Sequence, residues 1–272
     1  MAWPTSFLTA DIENDGDEDI IAWLDKLIEM DCDLTCDIEG FGLKHYDAGI
    51  GTITFCWNEN EGIAFSVDYF PSASDDPLIH GMPVFNPKIR AALRPFFIRF
   101  RRKMIYHNIC YDAYVLVYQL FMDHILDQEG MLTGLEILLR DWDCTQLISY
   151  LATNSCAGNE LSLKAQAQEY AGNYAVEDIK DICRIPEDKL LKYNLIDGLA
   201  TWYVHKKNYP IMVRDQQEDL YNDIFRPAVV DVIQMQLTGM PINMDKVVKL
   251  NAQLERESSL NVHRMLSMPI IQ

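Results

Sequence analysis

The alternation of apolar and polar residues predicts one amphipathic helix followed by three strands near the start of the chain. Residues 17–30 carry apolar side chains at helical spacing behind an acidic first turn, as in an amphipathic helix. Residues 33–43, 51–57 and 63–70 alternate with a period of two and are rich in β-branched and aromatic residues. The polar segment 58–62 joins the last two runs, so we expect a hairpin there.

Further along the chain, helical patterns alternate with one more strand pattern. Asn86 and Pro87 stand in the order of a helix cap and a first-turn proline, and we expect Pro95 to kink or end that helix. Residues 103–108 predict a short strand. Helices are then predicted over residues 111–126, 144–152 and 161–171.

The clearest helical pattern begins at Pro186 and is expected to end near Asn208, because Pro210 follows. Beyond it, two long helical segments flank the turn 238–243. A meander of three strands followed by alternating strands and helices predicts an α/β fold. We expect a mixed sheet that is covered by helices and followed by an α-helical appendage.

Composition limits the class of protein. The chain is 49% hydrophobic and 24% charged, as in ordinary globular proteins. It has neither an apolar run long enough to span a membrane nor a basic, apolar leader, so we expect a cytoplasmic protein with no membrane partner. Seven cysteines in no paired pattern are expected to be reduced thiols.

The formal net charge of −18 argues against a protein that simply wraps nucleic acid. Twelve of the 41 acidic side chains lie within residues 1–40, where Lys26 is the one basic residue. An enzyme that gathers carboxylates around metal ions can nevertheless act on a polyanion, because the ions reverse the local field. The basic run 88–103 fits either a track for a DNA backbone or a solvated helix face, and its interleaved apolar residues favour the face.

Three short motifs carry the candidate chemistry, and their residues are Asp37, Glu39, Asp112, Tyr193 and Asp197. In a strand, Asp37 and Glu39 project from the same face. Asp112 lies where a predicted strand gives way to a helix. Tyr193 and Asp197 are four residues apart and therefore neighbours on one helix face.

Carboxylates in this number suit the cleavage of a phosphodiester bond. Two divalent ions about 4 Å apart can activate the attacking water and stabilise the leaving oxygen. Hard ions such as Mg²⁺ take oxygen ligands, which Asp and Glu supply. A tyrosine beside one of these carboxylates could hold the attacking water.

Each motif taken singly has little specificity. Asp-x-Glu also occurs at 11–13 and 127–129, but these lie outside strand patterns and fit a solvated surface. Tyr-x3-Asp also occurs at Tyr174–Asp178, where the pattern cannot extend into a long helix, so we favour Tyr193–Asp197. His107 is interpreted as a core or supporting residue rather than a catalyst.

Together the motifs resemble the DEDD exonuclease superfamily. CDIEGFGL resembles its first motif, HNICYD its second and YNLID its third, in the tyrosine variant. The motif spacing of about 70–90 residues is similar to that of family-A DNA polymerases, although Cys144-Thr145 stands where that family has Asp-Thr. The family also places a turn glycine about forty residues after the third aspartate, and Gly239 lies 42 residues after Asp197. The resemblance covers residues 32 to about 250.

The resemblance implies a ribonuclease-H-like fold and a site for two Mg²⁺ ions, for which Mn²⁺ would substitute. Asp37, Glu39 and Asp197 would hold the catalytic ion. Asp37, with Asp112 through water, would hold the second ion. The tyrosine is expected to orient the attacking water.

It also implies substrate contacts and three parts of the chain. Leu43 matches an apolar residue that wedges against the terminal base, and Asn108 matches a contact to the primer end. The parts are an acidic helical extension (1–31), a 3′→5′ exonuclease domain (32–212) and the helical start of a polymerase domain (213–272).

The expected function is therefore proofreading, namely removal of 3′-terminal nucleotides from single-stranded DNA at a primer terminus. The expected partner is the polymerase portion of the same longer chain, in an arrangement similar to that of a bacteriophage replicative polymerase acting in the host cytoplasm. The alternatives are an exoribonuclease resembling the RNase D type and a catalytically silent scaffold. Retention of all four carboxylates argues against the scaffold, and the polymerase-like tail argues against the ribonuclease.

Overall fold

The computed structural model describes residues 8–9, 16–72, 76–153, 158, 160–172 and 181–268. Eight strands occur in these ranges: β1 (Leu8–Thr9), β2 (Leu34–Glu39), β3 (Thr52–Cys56), β4 (Gly62–Ser66), β5 (Tyr69–Pro71), β6 (Gly81–Pro83), β7 (Met104–Tyr106) and β8 (Trp142–Cys144). Six of them form one sheet in the order β1-β4-β3-β2-β7-β8, and β5 pairs with β6 in a small second sheet.

The main sheet is mixed. β2, β3 and β4 form the expected antiparallel meander, whereas β7 and β8 run parallel to β2, and β1 runs parallel to β4. β2 is central, and its carboxyl end lies at the same sheet edge as that of β7. Residues at these two strand ends are therefore neighbours.

The described helices are α1 (Gly16–Glu29), α2 (His45–Ala48), α3 (Pro87–Arg99), α4 (Ile109–Phe121), α5 (Gln128–Leu138), α6 (Thr145–Ala152), α7 (Leu163–Gln166), α8 (Gln168–Ala171), α9 (Glu187–Arg214), α10 (Glu218–Leu220), α11 (Arg226–Thr238) and α12 (Met244–Leu266). A 3-10 turn (Ile182–Arg184) precedes α9, and a π-helical turn (Tyr221–Phe225) precedes α11. No helix among the described ranges is both long and apolar enough to cross a membrane.

The chain divides into two compact units, Met1–Thr238 and Gly239–Gln272. The first contains the sheet and a core of buried apolar side chains, in which Phe55, Phe65, Phe96 and Phe97 form an aromatic group. In its described residues, 239–268, the second contains a turn and α12, whose side chains are exposed. The mixed sheet covered by helices, with a helical C-terminal region, confirms the expected fold class.

The structure contradicts a helix end at Pro95 and a helix end near Asn208, whereas a kink at Pro95 stays a prediction. Helix α3 continues through Pro95 to Arg99, and α9 continues through Pro210 to Arg214. Each proline removes one backbone hydrogen bond from its helix. Burial of Phe96 after the first proline, and of Met212 after the second, favours continuation of the helix over that local loss.

The acidic and basic segments pair with each other. Asp17 and Asp25 of α1 form ion pairs with Lys88 (3.6 Å) and Arg99 (2.7 Å) of α3. The guanidinium of Arg90 pairs with Asp68, which is buried. These basic side chains are paired with carboxylates of the protein itself. The structure therefore favours the interpretation of the basic run as a solvated helix face over a track for a DNA backbone.

Candidate active site

Three elements bring the predicted site residues together. Asp37 and Glu39 project from the same face of β2, opposite Thr54 and Thr52 in the ladder with β3. Asp112 lies in the first turn of α4, which begins directly after β7. Because β2 and β7 are parallel, these carboxylates meet at one sheet edge.

Helix α9 supplies the remaining carboxylate. Carboxylate oxygens of Asp37, Glu39 and Asp197 all lie within 4.8 Å of one another. Asp112 lines the same cavity, of about 350 Å³. Asp112 and Asp197 are 3% and 7% exposed, so water screens their charges poorly. All four predicted carboxylates therefore share one partly enclosed site.

Burial and mutual repulsion raise the pKa values of these acids. Burial, followed by the charges of Asp112, Asp197 and Glu39, raises the pKa of Asp37 well above its usual range. Burial, followed by the charge of Glu39, does the same to the pKa of Asp112. Burial and then the charge of Asp197 raise the pKa of Glu39 to about 8, although the positive charge of Lys164 acts to lower this pKa.

A divalent metal ion fits this set of residues. The available ligands are carboxylate oxygens, the donors that Mg²⁺ takes. Oδ2 of Asp112 is buried and has no hydrogen-bond partner within the described part of the chain. A buried anionic oxygen without a partner is costly, and a cation would compensate it. Asp37, Glu39, Asp112 and Asp197 are the residues that would hold the ion.

Tyr193 lies one helical turn before Asp197 and shares a hydrogen bond with it. Burial, followed by the charges of Asp197, Glu39 and Asp37, raises the pKa of the Tyr193 phenol above its usual range. The phenol is therefore neutral at physiological pH. It can position a water molecule by hydrogen bonding but cannot act there as a phenolate.

Asn194 is a site residue that the sequence motifs did not identify. Its Nδ2 donates to Oδ2 of Asp37 (2.7 Å), and its Oδ1 accepts from Oγ1 of Thr52 (3.1 Å). It is fully buried and fixes the orientation of Asp37. One available signal was a polar residue next to Tyr193 on the buried face of a helix.

Gly198 allows α9 to approach the sheet at the site. A Cβ on this residue would lie 2.8 Å from both Sγ of Cys56 and Cγ2 of Thr54. Oγ1 of Thr35 also donates to the Gly198 carbonyl (2.9 Å). The position of Asp197, the preceding residue, therefore depends on this close contact.

Asn108 and Leu43 lie beside the carboxylates. Asn108 precedes α4 in the left-handed region (φ 58°), which asparagine tolerates better than most residues. It lines both the carboxylate cavity and an adjacent cavity of about 360 Å³. Leu43 is 83% exposed on the rim of that second cavity. Tyr111 lines both cavities too, and its hydroxyl donates to the Gly42 carbonyl (2.8 Å).

His107 also lines the carboxylate cavity, in a supporting position. Its Nδ1 is 2.8 Å from Oγ1 of Thr145, and burial lowers its pKa to about 4. The imidazole is therefore neutral and held in place.

Of the competing motif copies, the one at 127–129 lies away from the site. Asp127 of the 127–129 copy caps α5 by accepting from the Gly130 amide (2.9 Å), which is a structural role. The copies at 11–13 and Tyr174–Asp178 lie outside the described residues.

No family model and no curated protein matches this chain. Solved structures do match it. NrnC from Brucella melitensis with bound Mg²⁺ is 14% identical with a TM-score of 0.50, over 87% of this chain and 96% of that one. The POL domain of Pol1 from M. smegmatis, in complex with DNA primer-template and dNTP, is 12% identical with a TM-score of 0.54, over 91% of this chain and 35% of that one. At these identities the similarity establishes the fold alone, and that fold is ribonuclease-H-like.

Proposed function

We propose that this chain is a metal-dependent 3′→5′ exonuclease that removes nucleotides from the 3′ end of single-stranded DNA. The observation that carries the proposal is the meeting of Asp37, Glu39, Asp112 and Asp197 in one cavity. Repelling carboxylates gathered in one partly enclosed cavity without a cation are unfavourable, which argues for a functional rather than a structural cluster.

The chain's own residues would divide the work as follows. Asp37, Glu39, Asp112 and Asp197 hold two Mg²⁺ ions, for which Mn²⁺ can substitute, and Asn194 keeps Asp37 in its ligating orientation. When bound, the ions lower the pKa of the attacking water and stabilise charge on the leaving 3′-oxygen.

The remaining groups act on the water and on the substrate. The neutral hydroxyl of Tyr193 orients the attacking water by hydrogen bonding. Asn108 contacts the terminal nucleotide from the wall shared by the two cavities. Leu43 presents an exposed apolar side chain against which a terminal base can pack.

We further propose that the substrate is DNA and that residues 32–212 act as the proofreading domain of a family-A polymerase. Two observations support this. The fold is similar to that of Pol1, which carries a DNA primer-template. Residues 225–254, across α11 and the first part of α12, are similar to the beginning of such a polymerase portion. The boundaries 1–31, 32–212 and 213–272, the bacteriophage-like arrangement and the cytoplasmic location stay predictions from the sequence.

A labelled-oligonucleotide assay tests the function. DNA and RNA strands of one sequence, labelled at the 5′ end, are incubated with Mg²⁺, Mn²⁺ or a chelator. We expect a ladder that shortens from the 3′ end, faster on DNA than on RNA, and no cleavage with chelator. Faster cleavage of RNA would instead support an exoribonuclease of the RNase D type. Absence of cleavage with either ion would support a silent scaffold.

A further inference from the structure

A lysine lies among the carboxylates of the site. The cavity that contains Asp37, Glu39, Asp112 and Asp197 is also lined by Lys164. Among the described residues that line this cavity, Lys164 is the one lysine, and there is no arginine. His107 is neutral, so Lys164 supplies the positive charge on that wall.

The segment that carries Lys164 is fixed against α9. Lys164 lies in α7, and Oγ of Ser162 accepts from the Ala165 amide at the start of this turn. The following Ala167 is buried against Ala200 and Val204 of α9. The ammonium of Lys164 lies 5.4 Å from the centroid of the Tyr193 ring. The lysine is thus held beside the tyrosine that we place next to the attacking water.

The single ammonium group of Lys164 cannot neutralise four carboxylates. Charge compensation within the protein therefore does not fully explain its position. The proposed substrate brings a phosphodiester anion into the same cavity, where the carboxylates alone would repel it. A lysine in this position acts as a point charge for phosphate. Such a contact becomes stronger as negative charge builds up on the phosphate during cleavage.

We propose that Lys164 binds a non-bridging oxygen of the phosphodiester that is cut, an inference that rests on the proposed exonuclease function. It makes Lys164 a substrate-binding residue in addition to the carboxylates, Tyr193, Leu43 and Asn108. Neither the motifs nor the structural similarities assign it a role.

The test compares Lys164→Ala and Lys164→Arg with the control Lys192→Ala. Lys192 is exposed, adjoins Tyr193 and does not line the cavity, so its variant removes the same charge from the same neighbourhood. We expect the single-turnover rate of Lys164→Ala to fall on the order of 10²-fold, with most of the rate retained in Lys164→Arg. Lys192→Ala should cleave like the wild type, and all three variants should keep the melting temperature of the wild type.

Binding identifies the phosphate that is contacted. Anisotropy of a labelled DNA strand is measured with Ca²⁺, which takes the same oxygen ligands as Mg²⁺. Lys164→Ala should weaken binding about tenfold, and so should an uncharged methylphosphonate at the terminal linkage. The two changes together should weaken binding no further than either alone. Lys164→Ala should also reduce the slope of log K against log salt concentration by about 0.7, the loss of one phosphate contact with a single strand.

The outcomes separate this inference from the function on which it rests. A wild-type protein that neither binds nor cleaves a 3′ single strand would overturn the exonuclease proposal itself. Normal wild-type cleavage, with additive effects of the lysine and methylphosphonate changes, would overturn the Lys164 contact alone. Equal cleavage rates of Lys164→Ala and Lys192→Ala would have the same consequence.

Discussion

Glu39→Gln should stabilise the ion-free protein, by an amount that grows with pH. The folded protein raises the pKa of Glu39 to about 8, whereas a glutamate in an unfolded chain has a pKa of about 4.3. Below the unfolded value the carboxyl is protonated in both states and contributes no difference. Between the two values the unfolded chain releases the proton and the folded protein keeps it, so stability falls as pH rises. Above the pKa of the folded protein, the loss of stability no longer changes with pH.

The pKa difference sets the size of the effect. Each pKa unit corresponds to about 1.4 kcal/mol, so the ionisation of Glu39 destabilises the fold by about 1 kcal/mol at pH 5. The same calculation gives about 4 kcal/mol at pH 7 and about 5 kcal/mol at pH 9. Glutamine has the same shape and does not ionise, so its substitution should recover this free energy. These values are large against the stability of a typical domain, about 5–15 kcal/mol.

Urea unfolding in EDTA measures the difference. Tryptophan fluorescence reports on the first unit, where Trp142 is buried. The free energy of unfolding of Glu39→Gln is compared with that of the wild type at pH 5, 7 and 9, with Glu136→Gln on the exposed face of α5 as the control. A difference that does not change with pH, or a wild type that is the more stable protein at pH 9, would refute the reasoning.

Mg²⁺ should reduce the stability advantage of Glu39→Gln. An ion that binds the folded state alone stabilises it by RT ln(1 + [Mg²⁺]/Kd), about 2.7 kcal/mol at a hundredfold excess over Kd. The wild type, with all four carboxylates, should gain this free energy, and Glu39→Gln should gain less because it lacks one ligand. Equal gains in the two proteins would remove Glu39 from the proposed set of ligands.

Three further predictions concern α9 and the competing tyrosine motif. Asp197→Ala should abolish cleavage of a labelled DNA strand without lowering the melting temperature by much, and Asp178→Ala should leave cleavage unchanged; the opposite pattern would overturn the motif assignment. Tyr193→Phe should retain DNA binding and slow single-turnover cleavage on the order of 10²-fold, whereas a rate equal to that of the wild type would leave only the carboxylates as catalytic groups. Gly198→Ala should destabilise the protein by about 1–3 kcal/mol in urea unfolding, because its Cβ meets Cys56 and Thr54 at 2.8 Å; unchanged stability would show that α9 can move away from the sheet.

The parts of the fold that could be predicted from the sequence are those with an unbroken local period. The meander β2-β3-β4 follows from alternation with a period of two, and the same period places Asp37 and Glu39 on one face. The apolar stripe of α9 likewise places Tyr193 and Asp197 side by side. A period specifies which face a residue occupies, and the parallel pairing of β2 with β7 then brings Asp112 to the same edge.

The errors arose where tertiary packing outweighs a local rule. Pro95 and Pro210 each weaken a helix locally, yet the buried side chains that follow keep both helices continuous. Helix α5 has no counterpart among the predicted helices, and it contains Gly130 and Gly134. A Cβ at Gly134 would lie 2.9 Å from Val117, so this glycine allows α5 to pack closely on α4. In the sequence such a glycine is indistinguishable from one in a loop.

Asn194 and Lys164 could not be assigned from the sequence for a different reason. Each acts on a residue that is distant along the chain, Asn194 on Asp37 of β2 and Lys164 on Glu39 of the same strand. Asn194 stands within YNLID without being one of its candidate catalytic residues, and Lys164 lies outside all three motifs. Their roles therefore follow from the packing of α7 and α9 against the sheet edge.

The packing that brings the carboxylates together also explains how the site can be preorganised before any metal ion binds. Asp37 and Glu39 lie on a central strand, Asp112 on the first turn of α4 and Asp197 on a helix in close contact with that strand's neighbours. The backbone positions that carry these carboxylates cannot separate without breaking sheet hydrogen bonds or opening the core. The raised pKa values of Asp37, Glu39 and Asp112 are thus a consequence of rigid packing. An ion that binds them relieves the repulsion without a rearrangement of the backbone, so its binding free energy is not reduced by a cost of ordering the site.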